Sequence, residues 1–177
     1  RGGVRGGGAG MAVAGGDRLG GQVGGLAGKP AGTGWCGQLG AGEVMDRSSL
    51  DLANNRPLDK ATWAGAVDSL GGDVLAWIAS TMKINGVIAS IGLAASPALS
   101  TTVLPFILRG VSLLGINSSD SPTPDIRRTV WRRLATDMKP PLLDRMCRTI
   151  PFADLPGVFD DFIQAKVSRR IVVDLRG

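Results

Sequence analysis

A chain of 177 residues, 44% of them hydrophobic, amounts to one domain or slightly more and can bury a real core, which excludes a disordered polymer. Histidine and tyrosine are both absent, which excludes a Ser-His-Asp or Cys-His site, an imidazole metal cage and a tyrosine acid. The formal net charge of +5 suits an anionic partner, whether a phosphate-bearing cofactor, RNA or an acidic surface, without choosing among them.

The chain opens RGGVRGGGAGMAVAGG, and most of its 27 glycines lie in residues 1–42. That opening reads either as an arginine–glycine tail of the kind that binds RNA or as the phosphate loop of a nucleotide-binding fold. In the second reading a helix runs over 9–19, with Met11, Ala14 and Leu19 as buried positions. A strand at 21–26, a helix at 30–39 and a strand at 41–46 follow.

Beyond Glu43 the texture is that of an ordinary α/β protein. AGAVDSLGG (64–72) predicts a buried strand, Ala64 to Asp68, running into a glycine turn. GDVLAWIASTM (72–82) has helical spacing, with Val74, Leu75, Ile78 and Met82 on one face. NGVIASIG (85–92) and VSLLGINS (111–118) predict two more strands. SPTPDIRRTVWRRLATDM (121–138) opens with helix-start chemistry and is periodic through Ile126, Val130, Trp131 and Leu134. FADLPGVFDDFIQAKV (152–167) predicts a helix with Pro156 in its first turn, and RRIVVDL (169–175) a final strand. The most apolar run, TTVLPFILRGVSLLGI, contains Pro105 and Arg109 and breaks at Gly110, too interrupted to span a bilayer.

Strand alternating with helix is the rhythm of a parallel sheet. The expected fold class is therefore α/β, a Rossmann-like doubly wound parallel sheet with helices on both faces, covering residues 1–177. Near-continuous apolar strands such as VIASIG fit burial on both faces. Cys36 and Cys147 form no CxxC pair and build no zinc site. They read as reduced thiols of a cytoplasmic protein, with a disulfide as the other reading, and no signal peptide is visible.

In a dinucleotide-binding fold, glycines between the first strand and first helix let the backbone approach a pyrophosphate. Gly3-x-x-Gly6-x-x-Ala9 and Gly6-Gly7 stand before a helix-like run, although a glycine-rich segment offers such matches cheaply. About 20 residues on, where the ribose is read, stands Ala27-Gly28-Lys29 with no acid nearby. A base there favours a 2′-phosphate, hence NADPH over NADH; the alternative is a solvated loop lysine. Ser69 and the pair Gly92-Leu93 fall at predicted strand ends, where ligands sit in such folds and where plain turns also occur. Only two RGG-like units occur, without an aromatic residue among them to stack on bases. Arg127, Arg128, Arg132 and Arg133 read as a solvated helix face or as a nucleic-acid patch.

WAGAVDSLGGDVLAWIASTM, NGVIASIGLA and TTVLPFILRGVSLLGINS resemble the medium-chain dehydrogenase/reductase superfamily, in its zinc-independent acryloyl-CoA reductase and quinone oxidoreductase-like branch. The likeness continues through LGAGEVMDR (39–47), WRRLATDM (131–138) and RRIVVDL (169–175). It implies an NADPH-dependent reductase that transfers hydride to the β-carbon of an α,β-unsaturated carbonyl, such as an acrylyl thioester or an enone, or to a quinone. It also implies a cytoplasmic homodimer, with the strand at 111–117 as the pairing edge, and neither a membrane nor a nucleic-acid partner. By the same resemblance Gly6, Gly7 and Ala9 lie at the pyrophosphate, and Ala27, Gly28 and Lys29 at the 2′-phosphate, where Arg47 adds charge. Gly92 and Leu93 lie by the nicotinamide ribose, beside the strand end at Ser69. Asn117 and Arg170 lie near the nicotinamide end.

The sequence also departs from the family pattern. Members of the family are about twice as long, and their first half forms a substrate domain toward which residues 152–175 would return. Asn117 stands where the family usually has Asp, and Arg169 where Gly usually precedes the arginine. Gly15-Gly16, Gly21 and Gly24-Gly25 stand where it carries larger apolar residues, each costing about 0.5–1 kcal/mol in backbone entropy before any lost packing. No residue is an obvious proton donor. A non-catalytic nucleotide-binding or dimerisation module therefore stands beside the enzyme reading, with an RGG-type nucleic-acid binder as a third.

Overall fold

The computed structural model describes residues 22–28, 30–117, 119–120, 123–140, 142–164, 166–167 and 170–176. Residues 9–19, expected to be helical, lie outside the described residues. The chain divides into two compact units. One is formed by Ser48–Thr129, the other by the described residues up to Arg47 together with those from Val130 onward. All the strand pairs among the described residues are parallel, and the strands alternate with helices, so the fold is α/β and Rossmann-like.

In the first unit, strands β3 (Trp63–Asp68), β4 (Met82–Ser90) and β5 (Ser112–Gly115) form one sheet in that order. Their register sets Ala66 beside Ile88 and Ile88 beside Leu113. Helix α2 (Gly72–Thr81) joins β3 to β4 and buries the predicted face of Val74, Leu75 and Ile78. Met82 and Ile88 are fully buried with it. The alternate row of the sheet behaves differently: Val67, Val87 and Leu114 are 54%, 42% and 49% exposed. Apolar runs that read as strands buried on both faces therefore bury only one row inside this unit.

The in-register part of β4 begins at Val87. Trp63 pairs with Met82 but Gly65 already pairs with Val87, so Lys83–Gly86 form an irregularity. Asn85 there takes a left-handed φ of 59°, a conformation that asparagine tolerates better than most residues. This explains why the sequence pattern starts its strand at 85.

Helix α3 (Leu104–Arg109) escaped the sequence reading, because six residues carry too little periodicity to separate them from the apolar run around them. It ends at Gly110, whose φ of 60° supplies the left-handed cap. Its Arg109 guanidinium donates to the carbonyls of Ser80 and Met82, both at 2.9 Å, and of Asp59 at 2.5 Å. One planar cation thus satisfies carbonyls at the end of α2. Helix α4 (Pro124–Ala135) buries none of its residues and matches the expected span at 121–138 with shorter ends.

In the second unit, β1 (Gly24–Ala27), α1 (Pro30–Gln38) and β2 (Glu43–Asp46) form a parallel β-α-β run, with Ala27 opposite Asp46. Leu39 and Met146 form its core, with Val23, Trp35, Ala41, Leu142, Leu143 and Cys147 packed against them. β6 (Cys147–Pro151), also missed because a proline ends it, pairs with β7 (Arg170–Asp174). The helix expected over 152–167 is instead a 3-10 helix over Phe152–Val158 followed by one short α-helix, α5 (Phe159–Ile163). Pro156 has no N–H to donate and disfavours α geometry in Leu155 before it, which interrupts an α-helix that would run through both from Phe152. No helix among the described residues is long and apolar enough to cross a membrane.

Candidate functional site

The carboxyl ends of parallel strands are where α/β folds bind ligands. At the end of β3, Asp68 is 2% exposed. Its carboxylate accepts from the Leu70 N–H at 3.0 Å, from the Gly71 N–H at 3.1 and 3.2 Å, and from the Ser90 hydroxyl at 3.3 Å. These bonds hold the turn that leads into α2, whose N-cap Gly71 has no side-chain cap of its own.

The turn is then zipped to the loop after β4. The Asp68, Ser69 and Leu70 carbonyls accept from Ile91, Ala94 and Ala95 N–H at 2.8, 3.2 and 2.9 Å, and Gly72 N–H donates to Ala98 at 3.0 Å. Two glycines make this approach possible. A Cβ on Gly71, which has φ 68°, would lie 2.2 Å from the Ser96 carbonyl oxygen. A Cβ on Gly92 would lie 2.9 Å from the Ser69 carbonyl oxygen. Ser69, Gly92 and Leu93 are therefore brought together, and Leu93 is left 64% exposed at the rim.

Asn117 follows the end of β5, where the Ile116 N–H donates to Ser90 at 2.9 Å. Its side-chain oxygen accepts from the Ser119 and Asp120 N–H groups, both at 3.1 Å, and so is engaged in its own turn.

In the second unit, Ala27 ends β1 and is 1% exposed, and Gly28 follows it. Arg47 is the first residue past β2, so a small residue and a cation follow two neighbouring carboxyl ends. That donor set fits an anionic sugar phosphate. Arg170 differs: it opens β7 opposite Cys147, at an amino end, so its placement rests on the family resemblance rather than on the strand-end rule. Gly6, Gly7, Ala9 and Lys29 lie outside the described residues.

Asp68 and Ser90 were not singled out from sequence. The available signal was an acid ending an apolar strand directly before a Ser-Leu-Gly-Gly turn. Both cysteines are free, and burial pushes the Cys36 thiol above its ordinary range. Among the described residues no group of three or more acids and cysteines could hold a metal ion.

No family model matches the chain. It is 38% identical over 157 residues to the acrylyl-CoA reductase AcuI of Ruegeria pomeroyi, an alignment covering 89% of this chain and 47% of that protein. It is 41% identical over 139 residues to a putative quinone oxidoreductase, YhfP, of Bacillus subtilis, covering 78% of this chain and 42% of that one. Among solved structures, the yhdH oxidoreductase of Salmonella enterica in complex with NADP superposes with a TM-score of 0.87 at 38% identity, over 96% of this chain and 52% of that one. Bacillus subtilis yhfP with NAD bound gives a TM-score of 0.86 at 37% identity, over 94% and 50%. The chain spans about half the length of the curated relatives it matches.

Proposed function

We propose, from the premise that the chain is a homologue of the acrylyl-CoA reductase and quinone oxidoreductase-like branch of the medium-chain reductases, that it is the nucleotide-binding portion of an NADPH-dependent oxidoreductase. The reduced nicotinamide would supply hydride to the β-carbon of an α,β-unsaturated acyl thioester or enone, or to a quinone. This chain's residues contribute binding and orientation, which is the protein's share in such chemistry. Gly6, Gly7 and Ala9 would admit the pyrophosphate. Ala27 and Gly28 would leave room for the adenosine ribose, with Lys29 and Arg47 supplying charge for its 2′-phosphate. Ser69, Gly92 and Leu93 would seat the second ribose, with Asn117 and Arg170 nearer the nicotinamide. Zinc independence fits a chain without histidine and with two separated cysteines.

The observation that carries this reading is the pair of loops locked together at the carboxyl ends of β3 and β4, with Gly92 against the Ser69 carbonyl. A homodimer through the strand at 111–117 and a cytoplasmic setting belong to the same proposal. A nucleotide-binding module without turnover is the second reading, and the test below separates the two.

Thermal-shift titration with NADPH and NADH tests the proposal. A ligand that binds only the folded state stabilises it by RT ln(1 + [L]/Kd), about 2.7 kcal/mol at a hundredfold excess over Kd. A clear shift with NADPH, a weaker one with NADH, and a loss of the difference in Lys29→Ala are expected. No shift with either cofactor overturns the reading, and binding without reduction of enone, thioester or quinone moves it to the module.

A further inference from the structure

We propose that Asp68 sets the redox preference of the cofactor site: its fixed negative charge, buried at the carboxyl end of β3 and paired with no cation among the described residues, favours the oxidised, positively charged nicotinamide over the reduced, neutral one. The inference rests on the cofactor reading above.

Every contact of this carboxylate is with a donor, as an ionised acid requires. All three donors are neutral groups: two backbone N–H groups and one hydroxyl. Arg128–Asp125, Arg133–Asp137 and Arg176–Asp174 are ion pairs among the described residues, and none of these involves Asp68. The N-terminal dipole of α2 offsets only about half a unit charge. A net negative charge therefore remains at a site that is 2% exposed and weakly screened by solvent.

Asparagine offers an acceptor oxygen to the same turn N–H groups without the charge. What a carboxylate adds is a field at the strand end, one residue before Ser69 and bonded to Ser90 on the neighbouring strand. A nicotinamide that gives up hydride gains one unit of positive charge, and a fixed negative charge nearby stabilises that change without reorganising. Asp68 would act through space, not by touching the cofactor.

The experiment measures Kd for NADP+ and for NADPH on the full chain and on Asp68→Asn. The readout is the ratio of the two constants, which loss of structure alone would leave unchanged. The ratio Kd(NADP+)/Kd(NADPH) is expected to rise about tenfold in the variant, the order of effect of one charge acting over about 10 Å at an effective dielectric constant of about 20. Equal weakening of both ligands, or an unchanged ratio, overturns this inference and leaves the cofactor reading standing. Binding of neither form to the parent chain overturns both. Asp73→Asn, an exposed acid in the first turn of α2, is expected to leave the ratio where it is, and an equal shift there would overturn the assignment to Asp68. Should Asp68→Asn fail to fold, Ser90→Ala decides. It removes a hydroxyl that partly offsets the charge, so the ratio is expected to fall, and a ratio that rises or stays unchanged overturns the inference.

Discussion

Gly71 and Gly92 show how single atoms decide the shape of the strand-end loops. Gly71 combines a φ of 68° with a neighbouring carbonyl 2.2 Å from the place a Cβ would take. Alanine there meets left-handed strain and a backbone collision together, costing about 2–5 kcal/mol. Gly92 has the collision alone, at 2.9 Å from the Ser69 oxygen, and Gly92→Ala is expected to cost about 1–3 kcal/mol. Urea denaturation ranks the two, and the proposed seat for the second ribose requires Gly92→Ala to weaken NADPH binding more than its stability loss accounts for. Gly115→Ala, where a Cβ meets nothing within 4 Å, provides the unstrained comparison. At this scale the sequence identifies which glycines end strands, because an apolar run stopping at glycine is a local signal. It does not identify Asp68 as the residue that holds the turn, since a carboxylate two residues before a glycine becomes a cap only once the turn brings its N–H groups round. Nor does it reveal that Arg109 binds carbonyls as far back as Asp59, a contact made across 50 positions of the chain.

Glycine has a different meaning from one element to the next. Helix α1 carries Gly34 and Gly37, both exposed, and a Cβ at either meets nothing within 4 Å. Gly34→Ala combined with Gly37→Ala is therefore expected to stabilise the chain by about 1–2 kcal/mol, through lost freedom of the unfolded chain and better helix propensity. A higher urea midpoint at unchanged m-value is the check. In β1, Gly25 reads as a position where the family carries a larger apolar residue. A Cβ there would lie 3.1 Å from the Cys36 Cβ and 3.6 Å from that of Ala41, so the Cys36 side chain would have to give by a few tenths of an ångström to admit one. The elements best read in advance are β3, α2, β4 and α4, long enough to show a period and bounded by glycine, proline or polar residues. Those missed are α3 and β6, too short or too proline-marked to carry a period. The single helix expected at 152–167 divides because Pro156 acts on hydrogen bonds that periodicity ignores.

At the scale of the whole molecule, the order of strands and helices was the most legible feature and the assembly the least. Alternation gives a parallel α/β fold directly. It places Ala27, Ser69, Gly92 and Asn117 at or just past carboxyl ends, while Arg170 at an amino end falls outside what alternation can assign. What alternation does not specify is how the sheet edge is covered. Among the described strands β5 pairs only with β4. The Ile116 N–H points to β4, since it donates to Ser90. The period of two therefore turns the Leu113 and Gly115 N–H groups toward the open edge. An unpaired edge beside half-exposed Val67, Val87 and Leu114 is a template for another strand, and the proposed homodimer would use it. Gly115→Pro removes one outward N–H, introduces a side chain where space is open, and spares the bonds to β4. Light scattering coupled to size exclusion is expected to give twice the chain mass for the parent and a single chain mass for the variant, with the NADPH thermal shift retained in both. A variant that keeps the double mass would place the interface elsewhere. A parent that is already a single chain would remove the edge from the proposal and leave the cofactor site untouched, because Ser69, Gly92 and Leu93 are held by bonds within one chain.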